Sequence, residues 1–357
     1  MRAVLFQVHL WTGLTLGILL VLLGLSGSIL VYERELLALG AKPAPLVSAS
    51  GKRPPLDAFL ANARAAVPSK RAAATIMLPK PGEALLVRFQ RGPQQGTDVY
   101  LDPATARILE TRQSPSNALV AFAHRFHGNL FIGGREGRQV VGWLGIAMLL
   151  LGLSGLVLWW PKRGRWQGAF FLRKSARGYR FHRELHGAVG IWAFAVFIAV
   201  SFSGVAIAFP ESARAVLSLG TPAPVVHSAA KPSPAVRPLG AEAVLRLVQS
   251  RYPGAKIRSL SFGRGDEVRV TLGDTAILVD PRRKSVTSAA SAPLDRFMAW
   301  QRPLHEGSGQ GPLWRFLVFL SGLLPGLFVA TGLSMWLKKR RARLTLIATQ
   351  VLKGAGP

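Results

Sequence analysis

The chain has 357 residues, 49% of them hydrophobic, and a mean hydropathy of +0.28, which is too apolar for an ordinary soluble protein of this length. The formal net charge of +28 is compatible with nucleic-acid binding, but fifteen of these charges belong to the 161–184 loop, the termini and Arg315, next to apolar segments, so we exclude a nucleic-acid partner. The lack of cysteine excludes disulfides, thiol catalysis, cysteine-ligated iron–sulfur clusters and covalent c-type haem.

Four apolar segments are long enough to cross a bilayer, which requires a helix of roughly 20 residues. They cover Leu10–Val31, Gln139–Trp160, Gly187–Phe209 and Leu313–Leu337, and none contains an acidic residue. With their flanks they divide the chain into a first transmembrane helix over 1–32, an α+β module over 33–137, a second helix over 138–160, a basic loop over 161–184, a third helix over 185–209, a second α+β module over 210–312, a fourth helix over 313–337 and a tail over 338–357.

The distribution of Lys and Arg predicts the orientation of these helices. The 161–184 loop holds eight basic residues and one acid, and the tail after Leu337 holds six basic residues and no acid. Short loops rich in Lys and Arg remain in the cytoplasm. Both termini and this loop are therefore predicted to be cytoplasmic, and both modules to be extracytoplasmic.

Comparison of the sequence with itself indicates an internal repeat. The segment "HLWTGLTLGILLVLLGLSGSIL" from His9 resembles "HGAVGIWAFAVFIAVSFSGVAI" from His186, at an offset of 177 residues. The segment "FHGNLFIGGREGRQVVGWLG" with His127 resembles "LHEGSGQGPLWRFLVFLSG" with His305, at an offset of 178. Between them, each half has an amphipathic helical stretch followed by strands with alternating apolar residues and an Asp-Pro turn. The sequence thus predicts an α-helical membrane protein with four transmembrane helices and two small α+β modules, related as a parallel two-fold repeat.

Histidines at repeat-equivalent positions are predicted to lie near both membrane faces. His9 and His186 begin outward helices at the inner face, and His127 and His305 precede inward helices at the outer face. Unpaired polar groups are costly to bury beside apolar helices, and neutral imidazole is a suitable iron ligand. The pattern therefore favours two b-type haems, bound non-covalently, each with iron held by one histidine pair.

Several neighbouring residues are candidates for the same sites. Gly13 and Gly190 each follow an inner histidine by four residues, on the same helical face, where glycine permits close approach of a macrocycle. His124 and His182 each precede a candidate ligand by one turn or less. Spacing alone leaves open which member of each close histidine pair binds iron.

At these motifs the sequence resembles the PepSY-associated transmembrane family of bacterial inner-membrane proteins, which are often iron-regulated. The resemblance covers nearly the whole chain and rests on "HLWTGL", "HGNLFIGGREGRQVVG", "ELHGAVGIW" and "LHEGSGQG", with "VYLDPATARIL" and "AILVDPRRKSV" resembling PepSY modules. Some members are ferric-siderophore reductases that bind two haems. The resemblance implies this activity here, with periplasmic modules and with His9, His127, His186 and His305 at the ligand positions. The second Asp-Pro strand departs from the family pattern at "PRRKS".

Together these observations predict a transmembrane electron conduit. Electrons enter from a quinol or a cytoplasmic reductase, since we find no flavin or nicotinamide motif in the sequence, and leave to a ferric siderophore outside. Arg125 and Arg302 flank the outer histidines and are candidates to hold haem propionates or to attract an anionic chelate. Two other interpretations stay open, a non-redox membrane anchor whose modules bind a peptide or partner protein, and a divalent-metal transporter that uses the same histidines.

Overall fold

In the computed structural model the chain forms two compact units. The helical unit comprises Met1–Glu33, Phe122–Ala213 and Trp300–Pro357, and the sheet unit comprises Arg34–Ala121 and Arg214–Ala299. The last three residues of the predicted tail, 355–357, lie outside the described residues. The structure describes residues 1–47, 53–68, 73–92, 95–162, 164, 166–217, 239–263, 267–273, 275–288 and 293–354.

The described residues form ten α-helices and eight strands, with a short 3-10 turn at Gln167–Ala169. The helices are α1 Arg2–Val31, α2 Glu33–Ala38, α3 Leu56–Ala65, α4 Ala118–Asn129, α5 Gly134–Trp159, α6 Gly178–Ala208, α7 Pro210–Leu217, α8 Ala241–Arg251, α9 Pro293–Glu306 and α10 Pro312–Gly354. The strands are β1 Ala73–Met77, β2 Leu85–Gly92, β3 Gln95–Leu101, β4 Ile108–Gln113, β5 Ile257–Phe262, β6 Val268–Leu272, β7 Thr275–Asp280 and β8 Ser285–Ser288.

Four helices, α1, α5, α6 and α10, are long and apolar enough to cross a membrane, which confirms the predicted number of candidate spans. Two of them end for the same physical reason. α5 is followed by Trp160 and α6 by Phe209, and each of these residues precedes a proline. The ring of a proline disfavours helical backbone angles in the residue before it. The chain therefore leaves the helix at equivalent points, with ψ of 113° at Trp160 and 63° at Phe209.

The structure extends three helices beyond the predicted spans. α5 begins at Gly134 rather than 138, α6 begins at Gly178 rather than 185, and α10 continues through the predicted tail to Gly354. The limits of the predicted spans are set by where the apolar residues begin and end. A helix can continue past these limits as long as its residues favour helical backbone angles. The Lys, Arg, Ala and Leu residues of the tail are good helix formers.

The boundary between the two units also differs from the predicted module limits of 33–137 and 210–312. Segments that the sequence assigns to the ends of the modules, including most of α4 and the end of α9, belong to the helical unit. The physical reason is that His127 in α4 and His305 in α9 hydrogen-bond to the backbone of the long helices.

The four long helices pack as a ring. α1 and α6 each pack against both α5 and α10, so α1 lies diagonally across from α6. Helices α1 and α10 cross closely at Gly24 and Gly322, where a Cβ atom on Gly24 would collide with the carbonyl oxygen of Gly322. Small residues at such crossings let helix backbones touch in an apolar environment. The ring encloses a space between α1 and α6, the two helices that carry the first pair of candidate ligands.

The sheet unit contains one antiparallel sheet rather than two separate ones. Its strand order is β4-β3-β2-β1-β5-β6-β7-β8, and the two halves meet where β1 pairs with β5. At this junction Ala74 is opposite Phe262 and Ile76 is opposite Leu260. Pairing the first strands of the two halves removes two exposed sheet edges, which would otherwise be sites of aggregation. The predicted modules are thus joined through backbone hydrogen bonds.

Two short helices, α3 and α8, pack together with the apolar face of the sheet. Each helix caps the amino terminus of the other. The Glu242 carboxylate in α8 accepts a hydrogen bond from the N–H of Leu56, and the Asp57 carboxylate in α3 accepts from the N–H groups of Ala241 and Glu242. Carboxylates stabilise helix amino termini because they satisfy free N–H donors and complement the helix dipole. These reciprocal caps couple the two halves of the sheet unit.

Candidate functional site

The helical unit brings four of the predicted site residues together as two pairs. His9 of α1 faces His186 of α6, with ring centroids 6.3 Å apart and ring planes at 71°. His127 of α4 faces His305 of α9, with ring centroids 5.9 Å apart and ring planes at 39°. We call His9 and His186 the basic-end pair, because they lie towards the end of the ring that carries the 161–184 loop and Lys338–Arg343, and we call the other two the opposite-end pair.

Hydroxyl groups hold the two imidazoles of the basic-end pair. The Nδ1 atom of His9 lies 2.8 Å from Ser154 Oγ, and Nδ1 of His186 lies 2.8 Å from Thr331 Oγ1. Both hydroxyls donate their single proton to a backbone carbonyl of their own helix, Ser154 to Leu151 and Thr331 to Leu327. Each hydroxyl therefore accepts from its histidine, and Nδ1 carries the ring proton. A neutral imidazole in this tautomer leaves the Nε2 lone pair available.

Backbone carbonyls hold the opposite-end pair in the same tautomer. His127 Nδ1 donates to the carbonyl of Leu23 at 2.9 Å, and His305 Nδ1 donates to the carbonyl of Val200 at 2.8 Å. A carbonyl can only accept, so the proton again lies on Nδ1. Removal from water and the neighbouring His305 lower the pKa of His127 to about 4, which keeps this ring neutral.

Glycines in α1 and α6 provide the space in which the opposite-end rings lie. A Cβ atom on Gly27 would come within 2.8 Å of His127 Cε1, and a Cβ on Gly204 within 2.8 Å of His305 Cε1. Carbon atoms do not approach so closely without displacement of one of them. The Ser26-Gly27 and Ser203-Gly204 steps, which are 177 residues apart like His9 and His186, therefore serve the histidine pair of the opposite end.

The two pairs lie near opposite ends of the apolar helices. Along α1, His9 is 18 residues from Gly27, and along α6, His186 is 18 residues from Gly204. With a rise of 1.5 Å per residue, this places the levels of the two pairs roughly 27 Å apart. A bilayer's hydrocarbon core is about 30 Å thick. One imidazole pair is therefore available at each end of such a layer.

A cavity of about 1170 Å³ surrounds the basic-end pair and reaches along α1 from Arg2 to Leu20. This is large compared with the roughly 300–1,000 Å³ of ordinary small-molecule and cofactor sites. Gly13 and Gly190, the predicted glycines, both line it. A Cβ atom on either would meet its nearest neighbour only at 3.9–4.0 Å. These two glycines thus widen the cavity and are not needed for helix contact.

The two histidines next in sequence to the pairs have other contacts. His124 Nε2 lies 3.0 Å from a carboxylate oxygen of Glu33. The ring of His182 contacts the neighbouring Phe181, with centroids 5.5 Å apart. The structure thus brings together the histidines that the repeat offset relates, and leaves His124 and His182 outside the two pairs.

The predicted arginines lie near the opposite-end pair in the sequence, but their recorded contacts are with other residues. The guanidinium of Arg125 lies over the ring of Phe131 at 5.3 Å. Arg302 donates to the Glu306 carboxylate at 2.9 Å, one helical turn away in α9. Both side chains are exposed and therefore accessible to an anion.

Three polar residues of the site were missed by the sequence analysis. Ser154 and Thr331 hold the basic-end histidines, and Gln301 lies four residues before His305 on the same face of α9. Gln301 is only 7% exposed, and among the described residues its Oε1 atom has no hydrogen-bond partner. The two hydroxyls had a signal in the sequence, because Ser154-Gly155 and Thr331-Gly332 are 177 residues apart, the same offset as His9 and His186. For Gln301, the signal in the sequence was its position as a polar residue one helical turn before the candidate ligand His305.

Within the part of the chain that the structure describes, no group of three or more His, Cys, Asp or Glu side chains forms a metal-ion site. The histidines are instead arranged as two opposed pairs. Each pair brings two imidazole rings next to each other, with ring centroids 6.3 and 5.9 Å apart.

The fold and the site together define a multi-pass membrane protein with an antiparallel sheet unit and paired histidines in its helical ring. The chain belongs to the family described as the PepSY-associated TM region, which it matches over residues 6–339. The resemblance to this family that the sequence motifs indicated is thereby confirmed. No curated protein matches the chain.

Proposed function

We propose that the protein is a transmembrane electron-transfer protein that reduces ferric siderophores and so releases Fe²⁺ for uptake. In this proposal His9 and His186 hold one b-type haem, and His127 and His305 hold a second. The observation that carries it is the geometry of the two pairs, 6.3 and 5.9 Å between ring centroids.

The spacing fits a metal bound between the two rings of each pair. Imidazole nitrogen lies about 2.1 Å from a bound metal, so two opposed rings with one metal between them have centroids roughly 6 Å apart. The two imidazoles of each pair would hold the iron of one haem. When bound, the group would supply a one-electron couple at iron.

The residues around each pair support a ligand role for the histidines. All four Nδ1 atoms are committed to hydrogen bonds with hydroxyls or carbonyls. Such partners fix the tautomer and the orientation of ligating histidines and make the free nitrogen more basic. The four Nε2 atoms are therefore prepared as donors without further rearrangement.

We also propose that the chain is a parallel two-fold repeat with both termini in the cytoplasm of a bacterium and the sheet unit in the periplasm. The repeat is supported by contacts that recur at the offset of the two halves. His9 contacts Ser154, 145 residues later, and His186 contacts Thr331, also 145 residues later. The orientation is supported by the excess of Lys and Arg at the basic end, where α5 ends and α10 continues into Lys338–Arg343.

The direction of electron flow follows from this orientation. A quinol or a cytoplasmic reductase donates at the basic-end pair, and a ferric siderophore accepts at the opposite-end pair. Each electron converts one Fe³⁺ in the chelate to Fe²⁺. Hard oxygen ligands hold Fe²⁺ less tightly than Fe³⁺, so reduction releases the metal.

The test uses haem-loaded, full-length protein in proteoliposomes that are reduced from the basic side. The pyridine haemochrome assay is expected to give two b-type haems per chain. His127→Ala and His305→Ala are expected to retain one haem and to abolish reduction of an external ferric chelate. A chain that binds no haem, or a variant that lacks the second haem and still reduces the chelate at the wild-type rate, would show that the proposal is wrong.

A further inference from the structure

The cavity at the basic end extends well beyond the histidine pair. On α1 it is lined from Arg2 to Leu20, a length of roughly 27 Å at 1.5 Å per residue. His9 lies seven residues from Arg2, which leaves a compartment about 10 Å deep between the imidazole and the basic end of the helix. We call this compartment the basic lip.

The basic lip has a large excess of positive charge. Its only acidic lining residue among the described residues is Glu184, which is ion-paired with Arg180 at 2.8 Å and with Arg173 at 3.4 Å. Paired with arginines, this carboxylate does not neutralise the remaining cations. Six basic residues line the cavity, namely Arg2, Arg173, Arg183, Lys339, Arg340 and Arg343.

Aromatic rings lie beside these cations. Lys339 Nζ is 5.6 Å from the centroid of the Phe6 ring, and the guanidinium of Arg340 is 5.4 Å from that of Trp336. Tyr179 also lines the cavity. The basic lip therefore combines flat apolar surfaces with fork-shaped donors that bind phosphate in a bidentate manner.

We propose that the basic lip docks the electron donor, and that this donor is a soluble reduced flavin that carries a phosphate group. The inference rests on the proposed function. The six basic residues less Glu184 leave an excess of five positive charges, which a neutral lipid quinol does not need, whereas a flavin phosphate matches both the aromatic rings and the arginines. The two carboxylates of a b-type haem at the basic-end pair would engage only part of this charge.

The electron count of the step is balanced. One reduced flavin gives up two electrons and two protons to become oxidised flavin, and the two electrons convert two Fe³⁺ ions of ferric chelate to two Fe²⁺ ions. The protons are released to water on the side of the basic lip. The outer reaction therefore needs no reductant other than the flavin.

The experiment compares two donors with the same ring system. Haem-loaded, full-length protein in nanodiscs is mixed under anaerobic conditions with reduced flavin mononucleotide or with reduced riboflavin, which lacks the phosphate. We expect the mononucleotide to reduce the protein roughly tenfold faster at low salt, the effect of about one charge-assisted hydrogen bond. The advantage should shrink as ionic strength rises. Equal rates for the two flavins, or a faster rate with a short-chain quinol, would overturn the proposal.

Replacing two arginines on one turn of α10 tests whether they bind the phosphate group of the flavin. The Arg340→Gln and Arg343→Gln double variant should slow the mononucleotide to nearly the riboflavin rate and leave the riboflavin rate unchanged. Arg341→Gln is the matched control, because Arg341 is an exposed cation of the same turn that lies outside the described cavity lining. A loss of the same size in the control would mean that general surface charge, and not the basic lip, attracts the donor. Haem content, measured on every variant, separates failure of this proposal from failure of the proposed function.

Discussion

His9 and His186 face each other across the helical ring with their ring centroids 6.3 Å apart, although they are 177 residues apart in the chain. Each is held through Nδ1 by a hydroxyl on the helix that packs beside it. The two halves of the chain thus contribute one imidazole and one hydroxyl each. Each half therefore supplies the same two groups to the site, and each group can be replaced and tested separately.

Under the proposed two-haem assignment, replacing either member of the basic-end pair should remove the same haem. His9→Ala and His186→Ala each leave one axial donor, so each variant should retain only one haem per chain, with identical optical spectra. His182→Ala should keep both haems, because His182 contacts only the neighbouring Phe181 ring among the contacts described. Haem content by the pyridine haemochrome assay checks this. Loss of haem in His182→Ala together with its retention in His186→Ala would reverse the assignment.

The Thr331 hydroxyl should strengthen haem binding at the same site. Thr331→Val preserves the shape but removes the hydroxyl that accepts from His186 Nδ1, and loss of such a partner typically weakens metal binding by about 10–100-fold. Thr331→Ser keeps the hydroxyl and is the matched control, since serine fills the corresponding role at Ser154. The rate of haem transfer to an excess of apomyoglobin measures the effect. An unchanged rate in Thr331→Val would show that the hydroxyl does not support the ligand.

A methyl group on Gly27 should displace the opposite-end pair. Its Cβ would lie 2.8 Å from His127 Cε1, so Gly27→Ala should lose the opposite-end haem and keep the other. Gly128→Ala is the control, because a Cβ there meets nothing within 4 Å, and alanine favours helix over glycine by about 1 kcal/mol. Optical spectra of the two purified variants check this. If Gly27→Ala retained two haems, the position of the His127 ring beside Gly27 would not be required for haem binding at the opposite-end pair.

The buried amide of Gln301 should stabilise the loaded protein and destabilise the empty one. Its Oε1 has no partner among the described residues, and an unsatisfied buried polar group costs about 1–3 kcal/mol. Gln301→Leu should therefore raise the thermal unfolding temperature of haem-free protein and shift the midpoint potential of the opposite-end haem. Gln301→Glu keeps the size of the side chain and replaces the neutral amide by an ionisable carboxyl, so it tests the effect of charge at this position. If Gln301→Leu lowered the unfolding temperature of the haem-free protein and left the midpoint potential unchanged, Gln301 would contribute to packing only.

The reciprocal caps of the sheet unit should make its stability depend on acid pH. Burial raises the pKa of Glu242, but the Leu56 N–H and the Arg53 guanidinium outweigh it and leave the pKa below the usual 4.5. A lowered folded-state pKa stabilises the unit above pH 4.5 and loses this contribution as the pH falls through the folded value. The protection factors of the α3 amides in the full chain, which are corrected for the slower intrinsic exchange in acid, should fall below this pH in wild type. Glu242→Gln, which cannot titrate, should show a smaller change, and an equal change would implicate other groups.

The sequence alone determined the features that depend on local pattern and on the repeat. Apolar run lengths predicted four candidate spans, and alternation predicted the strands on either side of Asp102 and Asp280, where each carboxylate caps its own turn. The offset between the halves related His9 to His186 and His127 to His305. The structure places the two members of each pair next to each other, because their segments come together within one helical unit.

Only the tertiary structure decided which groups surround those histidines and how the halves join. His124 was an open alternative in the sequence, and it lies beside Glu33, 91 residues earlier. The β1–β5 junction, the hydroxyl partners Ser154 and Thr331 and the Gln301 Oε1 atom, which has no hydrogen-bond partner among the described residues, likewise depend on contacts between distant segments. Such contacts depend on how each helix or strand is rotated about its own axis and shifted along it when it packs against its neighbours. The periodic pattern of apolar residues does not specify either quantity.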